Sequence, residues 1–255
     1  MSFFGHFESA VEALRLAKNI VFFTGAGISA ESGIPTFRDK LDGLWATHDP
    51  QSLETANAFR ANPSLVWGFY LWRREQAKCA LPNAAHFAIQ KVASSGRAVS
   101  VITQNIDDLH ERAGCLNVTH LHGSLEGAKC FACNRWAALS ADQLKVPLNN
   151  LEKDPPRCVH CNGRLRPGVV WFEENLPVGV WKRSMQLIRA CDVLVSVGTS
   201  GIVTPAAEIP EIARAVGATV IHVNLIDVSL GGENEFMLIG KASEVLRRLA
   251  GTTHP

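Results

Sequence analysis

Residues 19–38, NIVFFTGAGISAESGIPTFR, begin as an unbroken apolar run and continue into a loop of glycine and other small residues. An apolar run without polar alternation is typical of a strand buried on both faces, as in parallel sheets covered by helices. Three later stretches repeat the pattern and are separated by helical patterns: AVSVITQNID (98–107), DVLVSVGTS (192–200) and TVIHVNL (219–225). We therefore predict an α/β fold with a doubly wound parallel sheet.

Small and polar residues follow each of the four predicted strands. In chain order they are Gly25, Ala26 and Gly27, then Gln104, Asn105 and Asp107, then Gly198, Thr199 and Ser200, and finally Asn224. In an open doubly wound sheet these carboxyl ends lie along one edge, which is where ligands bind. Four such tips on one edge predict a ligand site there.

The glycine loop itself indicates a phosphate-containing ligand. Small residues let backbone N–H groups approach phosphates, and a helix N-terminus adds positive potential. The spacing departs from the G-x-G-x-x-G pattern, because the next glycine after Gly25 and Gly27 is Gly33. A tight strand–helix turn that binds nothing is therefore the alternative. Phe37 and Arg38, at the end of the loop, suggest a segment that folds over the ligand.

Two segments interrupt the alternation of strands and helices. Residues 39–85 are helical in pattern and rich in Trp and Phe, and residues 128–165 hold paired cysteines and a Pro-containing loop. We predict that both are insertions that together form a small second domain. Residues 1–38, 86–127 and 166–255 would then form the sheet domain, with a ligand cleft between the two domains.

Four of the seven cysteines form two C-x2-C pairs with 24 residues between them. These are Cys130, Cys133, Cys158 and Cys161. In a cytosolic chain such pairs predict a tetrahedral zinc site rather than disulfides. Four thiolates fill the coordination sphere, so we predict one structural zinc per chain, with no open position for catalysis. Cys79, Cys115 and Cys191 are isolated and are predicted to be small buried hydrophobes.

The charge balance excludes some function classes. The 255-residue chain has 25 basic and 24 acidic residues, which gives no general attraction to nucleic acid or to a membrane surface. No window approaches the roughly 18 apolar residues that a membrane span needs. The N-terminal pattern indicates an amphipathic helix rather than a signal peptide. We expect a cytoplasmic, monomeric protein that binds neither nucleic acid nor membrane.

Two pairs of residues have open interpretations from their chemistry alone. A histidine in the cleft is suited to removing a proton from a hydroxyl, but spacing does not choose between His120 and His122.

Tyr70 and Arg73 lie three residues apart in a helical stretch and share a helix face. They could close around an anion, or they could form the polar edge of an amphipathic helix.

A set of ordered motifs runs from about residue 20 to residue 242: GAGISAESGIPTFR, GLW, TQNIDDLHERAG, HGS, the two C-x2-C pairs, RLRPGVVWFEE, VGTS and VNL. Together these motifs resemble the sirtuin family of NAD-dependent protein lysine deacylases. The resemblance implies a large Rossmann-like NAD-binding domain and a small zinc-bearing domain. NAD+ and an acyl-lysine protein or peptide would meet in the cleft between them.

The resemblance also implies roles for particular residues. The NAD-binding set would be Gly25, Ala26, Gly27, Ser29, Ile34, Pro35, Thr36, Phe37, Arg38, Trp45, Gln104, Asn105, Ile106, Asp107, His122, Gly198, Thr199, Ser200, Asn224, Leu225, Ile226 and Ala242. The catalytic set would be His122, Asn105 and Asp107, with His122 as the base because it matches the family's HG position. The segment Val169, Val170, Trp171 and Phe172 would pair with the substrate peptide as an added strand.

The chemistry that the resemblance implies is group transfer without hydride exchange. The acyl oxygen of the modified lysine would attack the ribose C1′ as nicotinamide departs. His122 would then help a ribose hydroxyl attack the resulting imidate, and water would complete the release of lysine. The products would be free lysine, nicotinamide and O-acyl-ADP-ribose.

The Tyr-x-x-Arg pattern resembles the class of sirtuins that removes succinyl and malonyl groups. Arg73 could form a bidentate pair with the distal carboxylate of the acyl group, and Tyr70 could donate a further hydrogen bond. Three stretches depart from the family pattern: RDKLDGLW carries an extra residue, FEE replaces the common FGE, and NLI lacks a frequent acidic residue.

Four alternative functions are compatible with parts of the sequence. A general protein deacetylase and a mono-ADP-ribosyltransferase would use the same scaffold. A zinc-dependent dehydrogenase would need an open zinc position, which four cysteines do not leave. A zinc-ribbon interaction module for nucleic acid is disfavoured because the chain lacks a basic stripe.

Overall fold

The computed structural model describes residues 3–36, 46, 48–147 and 151–251. Phe37, Arg38 and Trp45, to which the resemblance gives NAD contacts, lie outside the described residues. Within the described residues, no helix has both the length and the apolar character needed to cross a membrane.

The main sheet has six parallel strands. They are β1 (Asn19–Thr24), β2 (Ala98–Thr103), β3 (Val118–His120), β7 (Val193–Val197), β8 (Thr219–Asn224) and β9 (Glu235–Ile239). Their spatial order is β3-β2-β1-β7-β8-β9, and every neighbouring pair is parallel. Counted among these six strands alone, the order is 3-2-1-4-5-6, the doubly wound order of the Rossmann fold.

A second, antiparallel sheet joins the cysteine-bearing segment to the rest of the chain. It has the order β5-β4-β6, with β4 at Gly123–Cys130, β5 at Trp136–Ala137 and β6 at Leu165–Val169. Strand β4 starts three residues after β3 ends, so the two sheets are connected directly at this point.

Helices cover both sheets and connect their strands. The described helices are α1 (Phe3–Leu16), α2 (Ala26–Ala30), α3 (Pro50–Leu53), α4 (Ala56–Ala61), α5 (Pro63–Cys79), α6 (Ala84–Ala93), α7 (Leu109–Arg112), α8 (Val178–Arg189), α9 (Ile209–Ala215), α10 (Ala242–Leu249) and a 3-10 turn at Ala206–Glu208.

Strand β1 shows why its sequence is apolar without interruption. Ile20 and Phe22 pack into a cluster with residues of α1, α6 and α10 on one face of the sheet. Val21 and Phe23 pack with residues of α8 and α9 on the opposite face. Because both faces are buried, apolar side chains are required at consecutive positions.

A third apolar cluster holds the helical insertion against the small sheet. Phe59 of α4 and Phe69 of α5 are buried with Val169 of β6 and with Trp171, which follows β6. The aromatic residues of segment 39–85 therefore belong to a core shared with the antiparallel sheet.

The structure corrects one prediction and extends another. Cys115 and Cys191 are buried as predicted, but Cys79 is exposed, because it lies at the C-terminal end of α5. All four predicted strands are present. Strands β3 and β9 were not predicted, since β3 has only three residues and β9 begins with a buried glutamate, Glu235.

Candidate functional site

The tips of β1 and β7 are in direct backbone contact. The Gly27 amide donates to the Gly198 carbonyl over 3.0 Å, and the Gly25 amide donates to the Val197 carbonyl over 3.0 Å. A Cβ atom on Gly25 would lie 2.7 Å from the Gly198 carbonyl oxygen, and one on Gly27 would lie 2.7 Å from the Gly198 Cα. Gly198 has a φ of +60°, which favours glycine. These glycines are therefore required for the contact between the two loops, whatever ligand they approach.

The tip of β8 is linked to the same edge. The Asn224 side-chain amide donates to the Thr199 carbonyl over 2.8 Å, and the Thr199 hydroxyl lies 3.0 Å from that of Ser196. Ser200, Leu225 and Ile226 are exposed beyond these contacts. The polar strand tips predicted from the sequence are thus brought together along one edge.

The N-terminus of α10 is tied to the segment after α2. The amide and hydroxyl of Ser243 donate to the two carboxylate oxygens of Glu31, over 3.0 and 2.5 Å. Ala242, the first residue of α10, is buried beside this contact. Glu31 was not predicted as a site residue, because its contact depends on a partner 212 positions away in the chain.

A pocket opens where the β1 and β2 loops meet the helical insertion. It is lined by Ala26, Ser29, Ile34, Pro35, Arg73, Ala77, Asn105, Ile106, Asp107 and Leu125. Seven of these ten residues are in the predicted NAD-binding set, and Arg73 is in the predicted substrate-binding set. The pocket therefore brings part of the NAD-binding set together with Arg73, while Tyr70 and residues 169–172 of the substrate-binding set do not line it.

Ser29 connects the two polar residues at the floor of this pocket. The Asn105 side-chain amide donates to the Ser29 hydroxyl over 3.0 Å, and that hydroxyl donates to the Asp107 carboxylate over 3.0 Å. Burial raises the pKa of Asp107, while bonds from the Leu109 amide and Ser29 lower it in part. The three side chains are held in fixed orientations, because each is buried and bonded.

His122 has one ring nitrogen held and the other available. Its Nδ1 lies 3.0 Å from the Gln104 carbonyl oxygen, which can only accept, so Nδ1 carries the proton and Nε2 a lone pair. Among the described residues, Nε2 has no hydrogen-bond partner. Burial lowers the pKa of His122, partly offset by the bond to Gln104. The imidazole is therefore neutral at pH 7 and able to accept a proton at Nε2.

His120 differs from His122 because both of its ring nitrogens are engaged. Nδ1 lies 2.9 Å from the Asn105 carbonyl oxygen and Nε2 lies 2.7 Å from the Glu111 carboxylate. Burial alone would lower the pKa of His120, but these two partners raise it above its usual value. His120 is thus bound through both ring nitrogens, whereas His122 is bound through Nδ1 alone.

The four paired cysteines form one compact cluster. The ligand atoms of Cys130, Cys133, Cys158 and Cys161 all lie within 4.8 Å of one another. The Sγ atoms are 3.4 Å apart for Cys130 and Cys161, and 3.8 Å apart for Cys133 and Cys158. A tetrahedral zinc ion with Zn–S bonds of about 2.3 Å requires sulfur atoms about 3.8 Å apart. The donor set and its geometry fit a structural zinc.

The two C-x2-C pairs have matching backbone turns. Asn134 and Asn162 follow the second cysteine of each pair with φ values of +56° and +59°. Their amides donate to the carbonyls of Cys130 and Cys158 over 3.0 and 2.9 Å. Asparagine tolerates this left-handed conformation better than most residues, so each turn is locally encoded.

Arg73 is engaged by a residue that the sequence analysis did not include. Its guanidinium nitrogen lies 3.1 Å from the Glu54 carboxylate, and the two side chains are only 10% and 8% exposed. The guanidinium also lies 5.7 Å from the centre of the Phe69 ring. A buried arginine requires a counter-charge. An acidic residue in the same segment, such as Glu54, was therefore the sequence feature that could have indicated this partner.

Tyr70 lies deeper than Arg73 and is fully enclosed. Its hydroxyl accepts a hydrogen bond from the Trp171 indole nitrogen over 3.0 Å. Burial, with the nearby Glu54 charge, raises the pKa of Tyr70 well above its usual value. The phenol is therefore neutral and keeps its own proton for donation.

The segment after β6 is anchored by a buried arginine. Arg166 pairs with both carboxylate oxygens of Glu174, and its guanidinium carbon lies 3.4 Å from the centre of the Trp171 ring. The amides of Val170, Trp171 and Phe172 donate to His122, Glu174 and Glu54 respectively, over 2.8, 3.0 and 2.9 Å. An added substrate strand would have to use groups other than these three amides.

Residues 25–205 match the model of the Sir2 family. The chain belongs to the Sir2 family. This match covers more than half of the chain and includes the glycine loop, His122 and the four cysteines.

Curated and solved relatives of this Sir2 chain span nearly its whole length. An NAD-dependent protein deacylase of Pseudomonas putida is 66% identical over 244 residues, which cover 96% of this chain and 93% of that protein. A Sir2 homologue solved in complex with NAD has a TM-score of 0.85 and 41% identity, over 96% of this chain and 92% of its own. A Sir2 protein solved with a p53 peptide and NAD+ has a TM-score of 0.79 and 31% identity, over 96% and 97%.

Proposed function

We propose that this Sir2 chain is an NAD-dependent protein lysine deacylase that transfers the acyl group to ADP-ribose. The observation that carries the proposal is the available Nε2 of His122, whose ring is held by the bond from Nδ1 to the carbonyl of Gln104, which precedes the pocket residues Asn105 and Asp107 in the chain. The names of the relatives support it, because the P. putida protein and other relatives more than 40% identical are named NAD-dependent protein deacylases.

The residues at the sheet edge and in the pocket fit NAD. The β1, β7 and β8 tips would hold its phosphates and ribose groups, and Asn105, Ile106 and Asp107 would face its nicotinamide end. NAD, when bound, supplies the ADP-ribose that accepts the acyl group. The Ser29 hydroxyl keeps the Asn105 amide and the Asp107 carboxylate oriented toward the cavity. Ala242 would flank the adenosine from the start of α10.

His122 would act as the general base of this reaction. Its lowered pKa keeps the imidazole neutral at physiological pH, so Nε2 can take a proton from a ribose hydroxyl. Proton removal by a placed base contributes typically 10²–10⁴-fold to rate. The Nδ1–H bond to Gln104 would fix the orientation of the ring and stabilise the imidazolium that forms.

The cysteine cluster would hold a zinc ion with a structural role. Four sulfurs leave no coordination position for a substrate, and the cluster lies at the far end of β4 from His122. The ion would keep the antiparallel sheet folded, and the chemical steps would use side chains of the cleft.

The finer proposal is that the acyl pocket reads the carboxylate of succinyl- and malonyl-lysine. Arg73 supports this proposal because it is the positively charged side chain among the pocket-lining residues. The Tyr70 hydroxyl already accepts from Trp171 and has one proton left to donate. A guanidinium and a phenol are suited to a carboxylate, and Phe172 and neighbouring backbone would hold the substrate peptide.

One experiment tests the proposed reaction and the proposed acyl preference together. NAD-dependent release of lysine is measured on one peptide that carries a succinyl, malonyl or acetyl group. Arg73→Met is expected to lose at least about tenfold in kcat/KM on succinyl and malonyl substrates relative to acetyl, because a charge-assisted bond is removed. Arg74→Met is the matched control, since Arg74 pairs with Glu126 and does not line the pocket.

His122→Ala completes this test. Its deacylation is expected to be abolished for all three acyl groups while NAD binding persists, as measured by calorimetry. Full activity of His122→Ala would refute the assignment of the base. Labelled ADP-ribose that remains on the peptide would instead indicate an ADP-ribosyltransferase.

A further inference from the structure

Glu54 forms an ion pair with Arg73, the arginine that is proposed to bind the carboxylate of the acyl group. The Glu54 carboxylate lies 3.1 Å from the Arg73 guanidinium, and both side chains are nearly buried. A glutamate side chain ends in the same chemical group as a succinyl chain. The two carboxylates would therefore seek the same hydrogen-bond donors of Arg73.

The backbone around Glu54 is fixed by three elements. Its carbonyl accepts from the Phe172 amide over 2.9 Å, and Thr55 forms a bridge with Phe172. The Thr55 hydroxyl in turn caps α4 by accepting from the Ala58 amide over 3.0 Å. Glu54 is the C-terminal cap of α3, and its amide donates to the Gln51 carbonyl, so its backbone is bonded on both sides.

We propose that Glu54 is a specificity-determining residue, which competes with acidic acyl groups for Arg73 and so weakens the preference for them. This inference rests on the proposed deacylase function and refines its substrate class. The wild-type protein is then expected to act on acetyl-lysine and on succinyl-lysine with comparable efficiency, because the charge of Arg73 is already neutralised.

The charge state of Glu54 would control this competition. The pKa of Glu54 is raised to about 7, because the effect of burial, with a small one from the nearby Asp49, outweighs the lowering by Arg73. Tyr70 on the same side is neutral, as described above. A proton on Glu54 would remove the negative charge that Arg73 faces at that position, and an acyl carboxylate could then supply a negative charge there.

The decisive measurement is the ratio of kcat/KM for succinyl-lysine to that for acetyl-lysine on one peptide. Glu54→Gln keeps the size and hydrogen-bonding ability of the side chain but removes its charge. We expect this ratio to rise about tenfold or more in Glu54→Gln, since the side chain that competes with the acyl carboxylate for the Arg73 guanidinium no longer carries a charge. Glu54→Ala, which also removes the bond to Arg73, is expected to change the ratio in the same direction.

Two further readouts separate specificity from a structural role. In an Arg73→Met background, Glu54→Gln should leave the ratio unchanged, because no guanidinium remains to be contested. In the wild type the ratio should rise as the pH falls from 8 to 6, whereas in Glu54→Gln it should be flat. Steps common to both substrates, including proton transfer to His122, cancel in the ratio.

The outcomes distinguish this inference from the proposed function. Deacylation of both substrates with an unchanged or lower ratio in Glu54→Gln and Glu54→Ala would overturn the role of Glu54 and leave the deacylase function standing. Absence of deacylation in the wild type would overturn both. A ratio that changes equally with and without Arg73 would also refute the competition.

Discussion

Glu173 has a backbone conformation that few side chains adopt. Its φ is +68°, within the segment that follows β6, and its side chain is exposed. The left-handed region costs an L-residue roughly 1–2 kcal/mol, and glycine avoids this cost. The FEE stretch, where the family commonly has FGE, thus places a glutamate at a position whose geometry favours glycine.

Replacing Glu173 by glycine is therefore expected to stabilise the protein. We predict that Glu173→Gly raises the free energy of unfolding by about 1 kcal/mol and the melting temperature by about 2–4 °C. Thermal unfolding followed by circular dichroism measures the change. Glu173→Ala is the control, because alanine removes the carboxylate but keeps the strain. A gain of the same size in Glu173→Ala would show that charge, not backbone geometry, is responsible.

The two histidines of the THLHG stretch illustrate what residue identity leaves undecided. His120 and His122 are two positions apart and have similar neighbours in the chain. They differ in their hydrogen-bond partners: His120 contacts the Glu111 carboxylate, and His122 contacts the Gln104 carbonyl. The tertiary fold brings these partners to them. Spacing alone could not separate them for that reason, and the resemblance did so by motif position only.

At the scale of elements, helix α6 begins with a capping box that includes a histidine. The Asn83 side chain caps the first turn, and the Nδ1 of His86 accepts from the Asn83 amide over 3.2 Å. His86 is fully buried, and its Nε2 has no partner within the described residues. Burial lowers the pKa of His86 to about 4. The helix start therefore depends on a neutral histidine.

This arrangement predicts an acid-sensitive contribution to stability. The pKa of His86 is lower in the folded state than the 6.5 of an unfolded histidine, so below pH 6.5 the unfolded state binds the extra proton. The free energy of unfolding should fall as the pH drops from 6.5 towards 4, by about 2 kcal/mol at pH 5 from this residue alone.

His86→Gln isolates that contribution, since glutamine also accepts at this position of a capping box. Urea unfolding at pH 7.5 and pH 5 should show a smaller loss in His86→Gln than in the wild type. Equal losses in the two proteins would contradict the assignment to His86.

Apolar runs made four strands of the main sheet predictable from the sequence. Strands β3 and β9 were not predicted, because β3 has only three residues and β9 begins with a glutamate. Strands β1, β2, β7 and β8 are buried on both faces, so their sequences carry the signal. The start of β9 carries Glu235, whose carboxylate is buried because it accepts from His222 and from the Leu230 and Gly232 amides. A polar residue stabilised by distant partners looks like a loop residue when only its neighbours in the chain are considered.

At the scale of the whole molecule, the small sheet links the metal site to the reaction site. His122 immediately precedes β4, which ends at Cys130, and β6 continues into the segment 170–172. The division of the chain into two domains stays a prediction, and β4 crosses its proposed boundary at residue 128 because it begins at Gly123.

Removal of the metal is therefore expected to affect both stability and activity. A ligand present at a thousand times its Kd stabilises by about 4 kcal/mol, which for a chain of this size corresponds to about 10 °C in melting temperature. We predict a loss of this order, with parallel loss of deacylation, after chelation or in Cys161→Ser. Metal content is measured by atomic emission.

Cys79→Ser is the matched control, because Cys79 is an exposed cysteine outside the cluster. It should keep one zinc per chain and the wild-type melting temperature. A metal-free chain with unchanged melting temperature and activity would refute the structural role of the ion.

The contact between the tips of β1 and β7 limits how this edge of the molecule can change during evolution. Gly25, Gly27 and Gly198 meet main chain atoms, which no compensating mutation can make smaller. A second-site suppressor of a substitution at any of the three would have to move a whole strand. Differences in ligand recognition between related proteins are thus expected to arise from the side chains around these glycines. The distance between the two loops is expected to stay constant.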